Sequence, residues 1–179
     1  MTITAIIVAA GKGERAGGAV PKQYATLGGK SLLAHAVTAF AAHQAIDRII
    51  VVVGEGQADL AVAALGGLVV DHIVVGGAER QQSVAAGIAA APDADMLLIH
   101  DAARPFIPPL VIDRLIAALA DQDGAVPALR MADTLARGPA ILGDVVDRTD
   151  LFRIQTPQAF RAEVIRAAHR QWSGPAATD

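Results

Sequence analysis

At 179 residues the chain has room for one domain with a sizeable core and too little for two comfortable ones. Apolar residues make up 53% and aromatics only 3%, so the core must be built from Ala, Val, Ile and Leu, which suits buried parallel strands under Ala-rich helices. The net charge of -3 argues against a general nucleic-acid binder, and zero cysteines exclude disulfides and thiolate metal sites.

The opening "MTITAIIVAAG" lacks the basic start and long apolar stretch of a signal peptide and reads as a strand that begins the fold at once. No run of eighteen apolar residues appears, so no membrane span is expected, and the expected location is cytoplasmic. Four runs have the short, aliphatic, β-branched character of buried strands: 4–10, 48–54, 68–77 (with room for a bend) and 96–102. Between them lie helix-like stretches at 31–43, with Ser31 as cap, at 56–67, and at 80–91, which ends at Pro92. A further helix over 108–122 starts with prolines, where a missing N–H costs nothing. Strand and helix alternate, so the class is α/β with a mostly parallel sheet and right-handed crossovers. The pattern then changes: 124–160 reads as a strand, an extended hairpin-like arm around "RGPAILGD" and a return, and 161–172 as a last helix.

The first strand runs into "AAGKGERAGGAVPKQY", a glycine-rich loop with Lys12, Arg15 and Lys22 and the spacing G-x-G-x-x-A at Gly11, Gly13 and Ala16. A dinucleotide-binding loop would open a helix within the glycines and carry a ribose-binding acid about 20 residues on. Here helical periodicity waits until Ser31, and no Asp or Glu occurs between Glu14 and Asp47. What remains is three cations on a backbone whose N–H groups approach phosphate oxygens closely, at the carboxyl end of a parallel sheet. That arrangement suits a nucleoside triphosphate; the plain alternative is a set of solvated surface charges.

These residues resemble the 2-C-methyl-D-erythritol 4-phosphate cytidylyltransferases of the non-mevalonate isoprenoid pathway. "PKQY" at 21–24 and "HDAARPF" at 100–106 carry the likeness most specifically. "GGAERQQSV" (76–84), "DT" (133–134), "VDR" (146–148), "TPQAF" (156–160) and the closing "ATD" follow in the family's order. The resemblance implies a Rossmann-like three-layer nucleotidyltransferase domain over 1–179, with a dimerisation arm at about 127–150 reaching across a two-fold homodimer. It also implies a reaction: the phosphate of methylerythritol phosphate joins the α-phosphate of CTP, and pyrophosphate leaves. Both reactants are anions, so the catalytic groups are expected to be cations that cancel repulsion and stabilise the pentacovalent phosphorus.

On the same resemblance, Arg15 and Lys22 stabilise the transition state, and Gly11 and Gly13 let the loop wrap the triphosphate. Gly77, Ala78 and Ser83 face the cytosine edge, with Ala9, Ala10 and Ala102 lining the nucleoside. Many relatives carry Asp where this chain has Ala78, so only a backbone contact carries over there. Asp101 is the implied magnesium or ribose ligand; on local sequence alone it would cap a turn or pair with Arg104. Arg104, Thr134 and Arg148 are implied to hold the second substrate, the last two across the dimer, with Arg148 counted with Arg15 and Lys22 among the catalytic cations; the plain alternative for Arg148 is a pair with Asp147 or Asp150. His100 is expected to pack or hydrogen-bond structurally, and Arg80 to brace its loop. The family continues beyond the "TD" landmark with a strand, a helix and a substrate-positioning Lys, and no Lys here matches it, since Lys12, Lys22 and Lys30 all precede the first helix. Some relatives are fused to the cyclodiphosphate synthase that acts later in the pathway. Two alternatives stay open: an enzyme for another polyol phosphate such as ribitol 5-phosphate, and a non-catalytic nucleotide-binding module.

Overall fold

A central six-stranded sheet organises the chain, seen in a computed structural model that describes residues 1–11 and 20–174. Strands β1 (Ile3–Ala9), β4 (Arg48–Val53), β5 (His72–Val75) and β6 (Met96–Asp101) run parallel. Strand β12 (Gln158–Arg161) lies antiparallel beside β6, and β7 (Gly124–Ala125) pairs antiparallel with β12. The spatial order is β5-β4-β1-β6-β12-β7.

The strands have aliphatic residues at almost every position because both faces are covered, and their two-residue period sorts the core. Ile3, Ala5, Ile7 and Ala9 of β1 face one cluster with helices α1 (Leu32–Ala41), α2 (Ala58–Leu65) and α4 (Pro109–Ala118), through Phe40, Leu65 and Ile112 among others. Ile6 faces the other with α3 (Arg80–Ala89) and α5 (Ala162–Gln171), alongside Val52, Val84, Ile88 and Ile99. Chain direction in the sheet reverses when α3 carries the chain back over β4 and β1 to β6. The carboxyl ends of β1 and β6, neighbours in the sheet with Val8 opposite Asp101, therefore form the switch point where ligands bind in open α/β sheets.

Local signals behave as their chemistry dictates. The Ser31 side chain accepts the Ala34 N–H at 2.9 Å and starts α1. Pro108 and Pro109 open α4. Gly87 lets α3 seat against β1, since a Cβ there would lie 2.5 Å from Ile6 Cγ2.

Two expectations are corrected. The strand expected over 68–77 pairs only from His72 to Val75, because the chain meets the sheet edge at Asp71, whose carboxylate accepts the Ile49 N–H at 2.7 Å. The stretch before α1, read as loop, contains a 3-10 turn at Lys22–Tyr24 and a two-strand hairpin, β2 (Thr26–Leu27) with β3 (Lys30–Ser31). Elements this short carry no periodicity. Between β7 and β12 the chain forms two small ladders, β8 (Ala128–Arg130) with β11 (Phe152–Ile154) and β9 (Leu135–Ala136) with β10 (Val145–Val146). These ladders and the turn between β9 and β10 expose Leu129, Ile141, Leu142, Val145 and Phe152 to solvent.

Candidate functional site

Ala9, Ala10 and Gly11 leave the carboxyl end of β1, and Asp101 and Ala102 leave β6 beside them, with the Ala102 N–H donating to Val8 O at 3.0 Å. Gly13 and Arg15, with Lys12, lie outside the described residues. The far end of that loop returns to the same edge through Gln23. This buried amide donates from Nε2 to Ala9 O at 2.6 Å and to Gly11 O at 2.7 Å. Tyr24, also buried, donates its hydroxyl to Gln57 Oε1 at 3.0 Å, and burial raises its pKa above the ordinary value and keeps it a donor. Between these anchors and Pro21, Lys22 stands exposed on a fixed turn. Sequence reasoning gave neither Gln23 nor Tyr24 a role, and the signal that could have found them is their place in the "PKQY" motif at 21–24.

After β5 the chain turns at Gly76, whose N–H donates to Val53 O at 2.8 Å. A Cβ at Gly76 would sit 2.5 Å from Ser83 Oγ, and one at Gly77 would sit 2.4 Å from Gln82 Cβ, so this loop folds tightly against the start of α3. Ser83 is buried, and its hydroxyl donates to Glu79 O and Gly77 O at 3.1 and 3.3 Å. It holds the loop from behind, while Gly77 and Ala78 are exposed.

Asp101 sits between two guanidinium groups. Arg80 Nε donates to its Oδ1 at 3.1 Å, and Arg104 Nε to its Oδ2 at 3.3 Å. The local alternative of an Asp101–Arg104 pair is therefore present, and Arg80, expected to brace its own loop, ties the start of α3 to the end of β6. Arg104 also donates from Nη1 to Gln155 Oε1 at 2.5 Å, linking the turn after β6 to the residues before β12. His100 is fully buried beneath this turn and packs against Phe40, its pKa pushed down to about 4, chiefly by burial.

Thr134 and Arg148 are exposed on the arm and, among the described residues, make no hydrogen bond or ion pair with Asp101 or Arg104. Arg148 does not take Asp147 as partner. It donates to Ala132 O, while the Asp147 carboxylate accepts the Thr149 N–H and hydroxyl at 3.0 and 2.7 Å, which lowers its pKa. The described residues include no cluster of three or more His, Asp or Glu able to enclose a metal. Asp101 alone suits magnesium of the kind held by one carboxylate and completed by substrate phosphates and water.

A sequence model described as 2-C-methyl-D-erythritol 4-phosphate cytidylyltransferase, IspD, matches residues 3–179. The chain belongs to that family. It is 47% identical over 187 residues to the 2-C-methyl-D-erythritol 4-phosphate cytidylyltransferase of Cereibacter sphaeroides strain KD131, covering 100% of this chain and 81% of that protein. It is 62% identical over 171 residues to the bifunctional enzyme IspD/IspF of Rhizorhabdus wittichii, covering 96% of this chain and 44% of that one. The chain spans 44% to 48% of the length of four such bifunctional relatives. The crystal structure of 2-C-methyl-D-erythritol 4-phosphate cytidylyltransferase from Thermus thermophilus superposes with a TM-score of 0.80 at 32% identity, covering 100% of this chain and 81% of that one. The α/β architecture expected from the strand and helix alternation is thus the architecture of the cytidylyltransferase family.

Proposed function

We propose that the chain transfers a cytidylyl group from CTP to 2-C-methyl-D-erythritol 4-phosphate, giving 4-diphosphocytidyl-2-C-methyl-D-erythritol and pyrophosphate. The observation that carries this is the convergence of the fixed Lys22 turn and the Asp101–Arg104 turn on one sheet edge, in a chain matched by the cytidylyltransferase family along residues 3–179.

A phosphate oxygen of the monoester attacks the α-phosphorus of CTP. That P–O bond forms as the bond to the bridging oxygen breaks, and pyrophosphate departs with the electron pair. No general base is required, because the monoester is already largely ionised near neutral pH. The chain's task is to hold two anions in line and stabilise the added charge. Lys22 and Arg15 are assigned to the triphosphate, and Gly11 and Gly13 to its backbone cradle. Ala9, Ala10, Gly77, Ala78, Ser83 and Ala102 are assigned to the nucleoside, Ser83 through the loop it shapes. Asp101 is the residue that would hold magnesium, which when bound supplies further charge neutralisation between the phosphates. Arg104 faces the monoester.

Thr134 and Arg148 complete the monoester site from a second copy, so the working form is a homodimer joined through the arm. The apolar residues exposed on the ladders at 128–154 favour that role, since monomers rarely leave such a patch uncovered. By likeness to the bifunctional relatives, a cyclodiphosphate synthase is the expected fused or associated partner. The setting is cytoplasmic; among the described residues no helix is long and apolar enough to cross a membrane.

Pyrophosphate release from CTP, with and without magnesium, tests the reading with methylerythritol phosphate, ribitol 5-phosphate or no acceptor. Metal-dependent release with methylerythritol phosphate alone is expected. Release with ribitol 5-phosphate instead, or CTP binding without turnover, would overturn it.

A further inference from the structure

His100 sits at the centre of a closed hydrogen-bond circuit that neither the motif likeness nor the nucleotide loops account for. The Arg104 carbonyl only accepts, so His100 Nε2 carries the proton and donates to it at 2.9 Å. Nδ1 then offers a lone pair, and the Thr156 hydroxyl donates to it at 3.0 Å. The Thr156 oxygen in turn accepts the Asp101 amide N–H at 3.2 Å. Arg104 closes the circuit through Gln155, next to Thr156. Both ring nitrogens are thus used, and their two partners select this one tautomer.

We infer that His100 is a positioning residue: through the Arg104 carbonyl and the Thr156 hydroxyl, it fixes the Asp101–Arg104 turn against the base of the arm and so holds the acceptor-binding groups at one spacing. This rests on the proposed cytidylyl transfer. The segments joined are far apart in sequence, and Arg104 points outward from a short turn with no helix or strand of its own. Without the imidazole the turn keeps its side chains but loses their register, and small misplacements of reacting groups are costly. Gln23 and Ser83 anchor the Ala9–Gly11 and Gly77–Ala78 segments of the nucleotide side outside this circuit, which reaches the nucleotide only through Asp101 and Ala102.

Steady-state kinetics on the whole chain test the inference with His100→Leu, Thr156→Val and the double variant. His100→Gln restores a donor, and Thr156→Ser restores the hydroxyl. KM for methylerythritol phosphate should rise about tenfold or more in each disabling variant, and clearly more than KM for CTP, most of whose contacts lie outside the circuit. The double variant should be no worse than the worse single one, because one circuit is broken only once. The restoring variants should recover most of the loss. Thr156→Val is nearly isosteric and keeps the test open if His100→Leu fails to fold. Amide hydrogen exchange at Asp101 should quicken about tenfold in Thr156→Val. Equal rises in both KM values, additive losses, or a lower Tm with unchanged KM values would overturn the inference. If the unaltered protein turns over no methylerythritol phosphate, the functional reading falls. Asp101 exchange then decides the circuit alone: unchanged exchange in Thr156→Val rejects it, and faster exchange upholds it.

Discussion

Replacing Gln23 by Met removes both donors of the tether and nearly preserves the side chain's volume, so the cost is electrostatic rather than a cavity. The two acceptors then fare differently. Ala9 is 2% exposed, and water does not reach its carbonyl, so orphaning it costs about 1–3 kcal/mol. Gly11 is exposed, and its carbonyl rehydrates, leaving only the net value of one bond, about 1 kcal/mol. The sum is about 2–4 kcal/mol, which for a chain of this size lowers Tm by roughly 4–16 °C. Urea unfolding should show an earlier midpoint at unchanged slope. Gln23→Glu is the sharper probe. Its carboxylate would face two carbonyl oxygens, which raises its pKa in the folded state. The deficit should be largest at pH 7 and shrink as the pH falls and the group takes up a proton it can donate. Because Lys22 shares the turn, kcat/KM should fall in both variants. A Gln23→Met protein within about 0.5 kcal/mol of its parent, or a Gln23→Glu deficit independent of pH, would refute the reasoning.

Lys22→Ala should reduce turnover by about 100-fold or more, as the loss of one oriented transition-state group does, with Tm essentially unchanged because the side chain is exposed; an unaltered rate in a pyrophosphate-release assay removes it from the mechanism. His100, with a pKa of about 4 against an ordinary 6.5, refuses a proton that the unfolded chain accepts. Stability should therefore drop as the pH falls from 6.5 towards 4, by about 3 kcal/mol from this group, and urea midpoints of His100→Gln should lack that part of the slope. Gly87→Ala gains about 1 kcal/mol of helix propensity but drives a methyl to 2.5 Å from the buried Ile6 Cγ2, an overpacking cost of about 1–3 kcal/mol. A net loss is expected in thermal melts, and a stabilised variant would show that α3 shifts freely on β1.

The main elements were legible because their signals are local. Parallel strands buried on both faces show as aliphatic runs, and Ser31 and the Pro108–Pro109 pair mark helix starts by bonds made or omitted within one turn. The motifs around Lys22, Gly77 and Asp101 were legible through family likeness, and the loop's cations by their place after β1. Gln23 and Thr156 stand inside two motifs of that likeness, "PKQY" and "TPQAF", but their roles were not legible. A glutamine is polar anywhere in a sequence, and only its burial against Ala9 O and Gly11 O makes it a tether. His100 was expected to be structural, and its partners could not be named, because Thr156 lies 56 residues away and meets it only once β12 pairs with β6.

By itself, then, the sequence determined the α/β class, the two covered faces, the helix starts and the chemistry on offer at the strand ends, since two-residue periodicity, caps and charge are properties of neighbouring residues. Only the tertiary structure decided that Asp101 lies between Arg80 and Arg104, that Ser83 turns inward, and that His100 joins the turn after β6 to the base of the arm. Those are contacts between distant segments, and their partners are chosen by how the sheet orders its strands rather than by anything written beside them in the chain.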